Sequence, residues 1–199
     1  MSANALIDRL KSNLPNYDII PITKQNCEQV MDVFESNQDF FLLTEGTPAT
    51  LQGCQANIDA IPPGFDIHNK LYIGFWINNR CIAVLDILLG YPNPDAIYIG
   101  LFLVHSELQG TGLGRKMIEA LLTAAKNMKM NSAKLAVIES NAKAITFWKR
   151  LGFEDTGKST ATMHDGTEVN VVTMNANPGL KLIDVKKVRH SGLDPESVV

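Results

Sequence analysis

Residues 105–117 read HSELQGTGLGRKM. They follow an apolar run, IYIGLFLV at 97–104, and precede Leu113, Met117, Leu121, Ala124 and Met128 at helical spacing. The order is strand, glycine loop, helix. The first turn of a helix carries unpaired N–H groups at the positive end of its dipole, so an anion settles there. Gly110, Gly112 and Gly114 have no side chains to keep phosphate oxygens from the backbone. The bland alternative is a tight strand-to-helix turn that uses glycines and holds nothing.

Three phosphate loops compete for this stretch. A nucleotide P-loop needs GxxxxGK followed by Ser or Thr, which is not present. A dinucleotide loop needs GxGxxG. Gly110 and Gly112 start one, but Arg115 stands where the third glycine belongs. The acidic ribose partner expected about twenty residues on is also missing, because that region reads KMNSAK. The third option is Gln109, two residues, Gly112, one residue, Gly114.

Outward from the loop, IYIGLFLV is apolar enough to be a central strand buried on both faces. Gly100 inside it marks a bulge, a close backbone approach, or simple packing under a large neighbour. Upstream, Leu71 to Ile77 and Cys81 to Leu89 form a hairpin around Asn78-Asn-Arg80. Downstream, Lys134 to Glu139 is a strand. Asn141 caps a helix over 142–151 that ends at Gly152. Phe153 to Met163 and Glu168 to Asn175 pair around His164-Asp-Gly-Thr167. Before the hairpin, a short amphipathic helix covers Leu6 to Leu14 and a strand Tyr17 to Ile22. Thr23 caps a helix to about Ser36. Pro48 opens a helix to about Ala60 within the otherwise irregular stretch from Asp39 to Gly64.

Bulk properties set the class. The 199 residues suit one domain, expected over 1–177, with a tail over 178–199 of which at least the last ten residues carry no functional chemistry. A net charge of -3 offers no global attraction to nucleic acid or anionic lipid. No apolar run approaches the roughly 20 residues of a membrane span, and the first residues lack a secretory pattern. Cys27, Cys54 and Cys81 are odd in number and widely spaced, so they read as buried reduced thiols of a cytoplasmic protein. No metal site is expected.

A second stretch, NAKAITFWKRLGF at 141–153, lies one strand beyond the loop. QGTGLG and this stretch together resemble the two motifs of the GNAT superfamily of acyl-CoA-dependent N-acyltransferases, and the resemblance spans about Tyr17 to Asn175. It implies an α/β (α+β) fold with a mixed, mostly antiparallel twisted sheet, flanked by helices and with splayed central strands. It implies acetyl-CoA as co-substrate, with pyrophosphate on the backbone of the Gln109, Gly110, Thr111, Gly112, Gly114 and Arg115 loop. The pantetheine arm would run beside Phe102, Leu103 and Val104, near Asn141, Phe147 and Trp148. The Phe102 N–H would polarise the acyl carbonyl.

Two positions depart from the family pattern. Many members carry a Tyr where Trp148 stands and use it to protonate the leaving thiolate. An indole only donates and does not ionise usefully. Some members carry a Glu as base near the place of Tyr98. A phenol acts there only if its pKa falls far below 10, or else it orients a water or the amine. Asp86, Tyr91, Asp95 and His105 are other base candidates.

The resemblance implies acetyl transfer to a primary amine of a small molecule or peptide, by direct attack. The weak acid and base positions also suit a non-catalytic acyl-CoA sensor. The acceptor would approach over the region from Phe34 to Phe65, with Phe40, Phe41 and Phe65 as apolar walls. Glu35, Asp39, Glu45 and Asp66 would attract a cation. A homodimer is common in such folds, but no stripe marks an interface.

Overall fold

The computed structural model describes residues 3–162 and 166–179. Its centre is a seven-stranded sheet in the order β1-β2-β3-β4-β5-β7-β6. The strands are β1 (Asp18–Pro21), β2 (Lys70–Ile77), β3 (Arg80–Leu89), β4 (Ala96–Val104), β5 (Ser132–Ile138), β6 (Glu154–Thr162) and β7 (Glu168–Ala176). Each neighbouring pair is antiparallel except β4 and β5. The mixed, mostly antiparallel sheet is therefore as expected.

The helices are α1 (Ala3–Asn13), α2 (Met31–Glu35), α3 (Gln38–Glu45), α4 (Leu51–Asp59), α5 (Leu113–Asn127) and α6 (Ala142–Arg150). One sheet face packs on α1, α5 and α6 through Leu6, Leu10, Met117, Leu121, Trp148 and Leu151. The other packs on α2, α3 and α4 through Val33, Phe34, Phe41 and Cys54. All three cysteines are free and buried on that second face. Burial raises the Cys54 thiol to about 11 and the Cys81 thiol to about 12. Among the described residues no helix is long and apolar enough to cross a membrane.

Local chemistry explains most boundaries. Asn78 and Asn79 both take positive φ, as a two-residue hairpin turn requires. Asn141 Oδ1 accepts from the Ala144 N–H at 3.0 Å and opens α6. At the other end the Gly152 N–H donates to Lys149 O and the Phe153 N–H to Trp148 O, at 3.0 and 3.1 Å. Gly152 has φ 81°, and the Phe153 ring packs 5.0 Å from that of Trp148. This is a Schellman end with its hydrophobic contact, and it orients Trp148.

The region before β2 differs from the sequence reading. No continuous helix starts at Thr23. Its N–H donates to Asn26 Oδ1 at 2.7 Å, and the chain makes a 3-10 turn, Cys27–Val30, before α2. A separate helix, α3, forms over residues read as irregular. Pro48 lies outside α4, whose cap is Thr50, accepting from the Gly53 N–H. The expected tail lies outside the described residues past Gly179, and so do His164 and Asp165 of the turn between β6 and β7.

Gly152→Ala places a side chain in the left-handed region and should lower stability by about 1–2 kcal/mol. Urea denaturation with an unchanged slope would show this; an unshifted midpoint would contradict the helix end described.

Candidate active site

β4 and β5 pair for only three rungs, Ala96 with Ser132, Ile97 with Ala133 and Tyr98 with Lys134. Both strands then continue, to Val104 and Ile138, without pairing to each other. Gly100 and Ala136 are exposed although they lie mid-sheet, because the strands have parted there. The gap opens into a cavity of about 460 Å³. Ile99, Gly100, Leu101 and Phe102 line it on β4, and Leu135 to Ile138 on β5. Asn141, Ala144 and Trp148 come from α6 on one face, and Phe40, Phe41, Thr44, Glu45 and Asn57 from α3 and α4 on the other. The cavity thus passes through the sheet.

Backbone alternation sets what β4 offers to the gap. The His105 N–H donates to Ile82 O on β3 at 2.9 Å. Leu103 faces the same way by alternation, and Phe102 and Val104 turn their peptide groups toward the gap. The Val104 carbonyl is occupied. It accepts from Gln109 Nε2 at 3.0 Å and Asn37 Nδ2 at 3.1 Å. Gln109 Nε2 also donates to Asn37 Oδ1 at 2.8 Å. The Gln109 side chain is therefore a latch between loop, strand and the start of α3. The Phe102 N–H faces the open gap.

The loop beyond Gln109 is shaped for an anion. Gly110 and Gly112 have φ 76° and 89°, and a Cβ on either would meet nothing within 4 Å. Alternating left-handed residues make a concave nest of N–H groups. Gly112 is the N-cap of α5 and no side chain caps the helix, so the first-turn N–H groups of Gly114 and Arg115 stay open. Gly114 serves packing. A Cβ there would lie 3.4 Å from Phe102, Phe147 and Val104. The Phe102 and Phe147 rings stack with centroids 6.1 Å apart, and Trp148 closes the group against both. The Thr111 hydroxyl donates to Leu108 O at 2.7 Å, and Arg115 pairs with Glu119 at 2.6 Å. Both side chains thus have local partners. CoA fits these features: a nest for the pyrophosphate, and a strand-width gap for the arm.

The base candidates separate clearly. Tyr98 sits at the closed end of the gap and is not on the cavity wall. Its ring packs on Tyr91, 5.6 Å away, and burial raises its pKa, the opposite of what a base needs. His105 is buried; Nε2 lies 2.9 Å from an Arg80 nitrogen and Nδ1 accepts from the Glu107 N–H. Asp95 braces Asn131. Asp86 alone of these lines the cavity. Of the expected acceptor walls, Phe40, Phe41 and Glu45 are present. Phe65 packs instead on Tyr91 at 5.8 Å, and Glu35, Asp39 and Asp66 lie elsewhere. Thr44 and Asn57 carried no sequence signal, whereas the β5 residues fall in the strand Lys134 to Glu139 expected to splay from β4. Among the described residues no three His, Cys, Asp or Glu side chains gather as metal ligands.

Residues 31–153 match the profile of the acetyltransferase (GNAT) family. The chain is 32% identical over 83 residues to a peptidyl-lysine N-acetyltransferase of Escherichia coli, covering 42% of this chain and 50% of that protein. It is 33% identical over 63 residues to a spermine/spermidine N(1)-acetyltransferase of Bacillus subtilis, covering 31% and 41%. It thus spans about half the length, or less, of these relatives. The fold is similar to that of the ribosomal-protein-S18-alanine N-acetyltransferase from E. coli, with TM-score 0.58, 17% identity, and coverage of 85% of this chain and 98% of that one.

Gln109→Ala should cost about 1 kcal/mol, because the Val104 carbonyl keeps its Asn37 donor. Hydrogen exchange should quicken selectively in the loop. Unchanged exchange there would show that the latch does not hold it.

Proposed function

The chain belongs to the GNAT family of acetyltransferases, and on that premise we propose that it transfers an acetyl group from acetyl-CoA to an aliphatic primary amine. The observation that carries this reading is the parting of β4 and β5 beside the open glycine nest. The pyrophosphate sits on the N–H groups of Gly110, Gly112, Gly114 and Arg115. The pantetheine arm lies along Phe102, Leu103 and Val104, between Asn141 and the Phe147–Trp148 pair. Gln109 and Thr111 shape the loop rather than contact the cofactor with their side chains.

The amine attacks the thioester carbonyl directly. The carbonyl oxygen accepts from the gap-facing Phe102 N–H as charge builds on it. Phe40 and Phe41 offer an apolar wall for the amine's carbon chain, and Glu45 and Asn57 a polar rim. The similar proteins named above act on peptidyl-lysine and on spermine or spermidine. An aliphatic primary amine is common to both, which supports that class here. Trp148 does not supply the thiolate's proton; holding donor and amine together supplies much of the rate.

Isothermal titration should detect binding of acetyl-CoA and CoA, and CoA release should follow on adding spermidine or a lysine peptide. Gly112→Ala strains the nest and should weaken CoA binding about tenfold, equal to about 1.4 kcal/mol. No binding by the wild type at millimolar concentration would sink the proposal. Tight binding without turnover across an amine panel would instead favour an acyl-CoA sensor.

A further inference from the structure

Resting on the transferase reading, we propose that Asp86 receives the acceptor's amino group and takes its proton. Asp86 stands on β3 opposite Leu101, and the next rung pairs Ile87 with Ile99. Gly100 is thus the extra residue of a β-bulge that faces this carboxylate. A Cβ on Gly100 would come within 3.2 Å of Asp86 Oδ2. Glycine at the bulge therefore keeps the carboxylate bare toward the cavity that Asp86 and Gly100 both line.

The two carboxylate oxygens have different surroundings. Oδ2 is held by Lys70 Nζ at 2.7 Å, and the same Nζ donates to the Ala60 carbonyl at 2.7 Å. The Lys70 side chain is 3% exposed, so this clamp is rigid and dry. Oδ1 is buried and has no hydrogen-bond partner. Buried charged oxygens are rarely left so. An amine that reaches the carboxylate from the Gly100 side supplies a further donor. The peptide of Phe102, one residue beyond Leu101, faces the gap, so the carboxylate and the oxyanion donor flank one point.

A purely structural ion pair would explain Lys70 but not the unpaired Oδ1, nor the bulge that leaves only a glycine beside Oδ2. Burial pushes the Asp86 carboxyl above its usual range, while Lys70 and, more weakly, the Ile87 N–H oppose the rise. That direction suits a group that accepts a proton near neutrality. Tyr72 lies opposite on β2, and Glu45 of α3 lines the same cavity. Burial raises the Tyr72 phenol far above neutrality, so it stays protonated.

In the step, the amine nitrogen forms a bond to the acetyl carbon and the carbon–sulfur bond breaks. CoA leaves as the thiolate and the Asp86 carboxylate takes the nitrogen's proton. That proton passes to the thiolate or to water, and the carboxylate is restored.

Kinetics with acetyl-CoA and spermidine or a lysine peptide, over a range of pH, test this. Asp86→Asn should lower kcat by about two to four orders of magnitude and leave the CoA dissociation constant unchanged. The lower-pH rising limb of kcat/KM, which reports the carboxylate, should vanish, while the rise that reports the acceptor's own ammonium, at about 10.4 for a lysine, remains. Lys70→Met removes the cation that favours the carboxylate, so the limb should move to higher pH. If Asp86→Asn does not fold, Lys70→Met decides: an unmoved limb overturns the proposal. Wild-type turnover with a fully active Asp86→Asn overturns it while sparing the transferase reading. No turnover by the wild type overturns both.

Discussion

The constraint on which the site depends is the loss of pairing between β4 and β5 after the rung of Tyr98 and Lys134. A parallel pair that stayed closed would bury its peptide groups in a ladder and leave no room for a ligand. Parting leaves peptide groups of β4 without a strand opposite, deep in an otherwise continuous sheet. Unpaired backbone groups there are costly unless water or a ligand meets them. The fold thus contains a strand-shaped opening of the kind that an extended amide-bearing arm could fill by adding pairing of the same sort.

The surrounding residues keep that opening apart and aimed. Gln109 and Asn37 both grip the Val104 carbonyl and set the glycine loop at the end of β4. Gly114 lets α5 approach Phe102 and Phe147 closely. The Schellman end of α6 fixes Trp148 under the same aromatic group. On the opposite face, α3 and α4 bring Phe40, Glu45 and Asn57 to the far mouth. On the proposed reading, donor and acceptor would enter from different faces and meet near the bulge.

Much of this was legible in the chain. IYIGLFLV, the alternating glycines and the apolar period of α5 agree with one another, so their elements fell within a residue or two. The caps at Asn141 and Gly152 were equally local. Non-local features were not legible. β7 lies between β5 and β6, which no sequence spacing encodes. Gln109 meets Asn37 from 72 positions away. The short α3, with no capping side chain, left no start signal.

Tyr98 shows the limit most clearly. Straight counting along β4 puts it on the face of Phe102 and Val104. The bulge at Gly100 reverses the alternation: Ile97 and Ile99 share that face with Phe102 and Val104, and Tyr98 turns to the other. Asp86 was one candidate among several until the register set it opposite the bulge. A crystal structure of the protein with CoA tests the central claim most directly. The arm should lie between β4 and β5, with the pyrophosphate on the backbone from Gly110 to Arg115. CoA bound elsewhere, with that gap closed or empty, would contradict it.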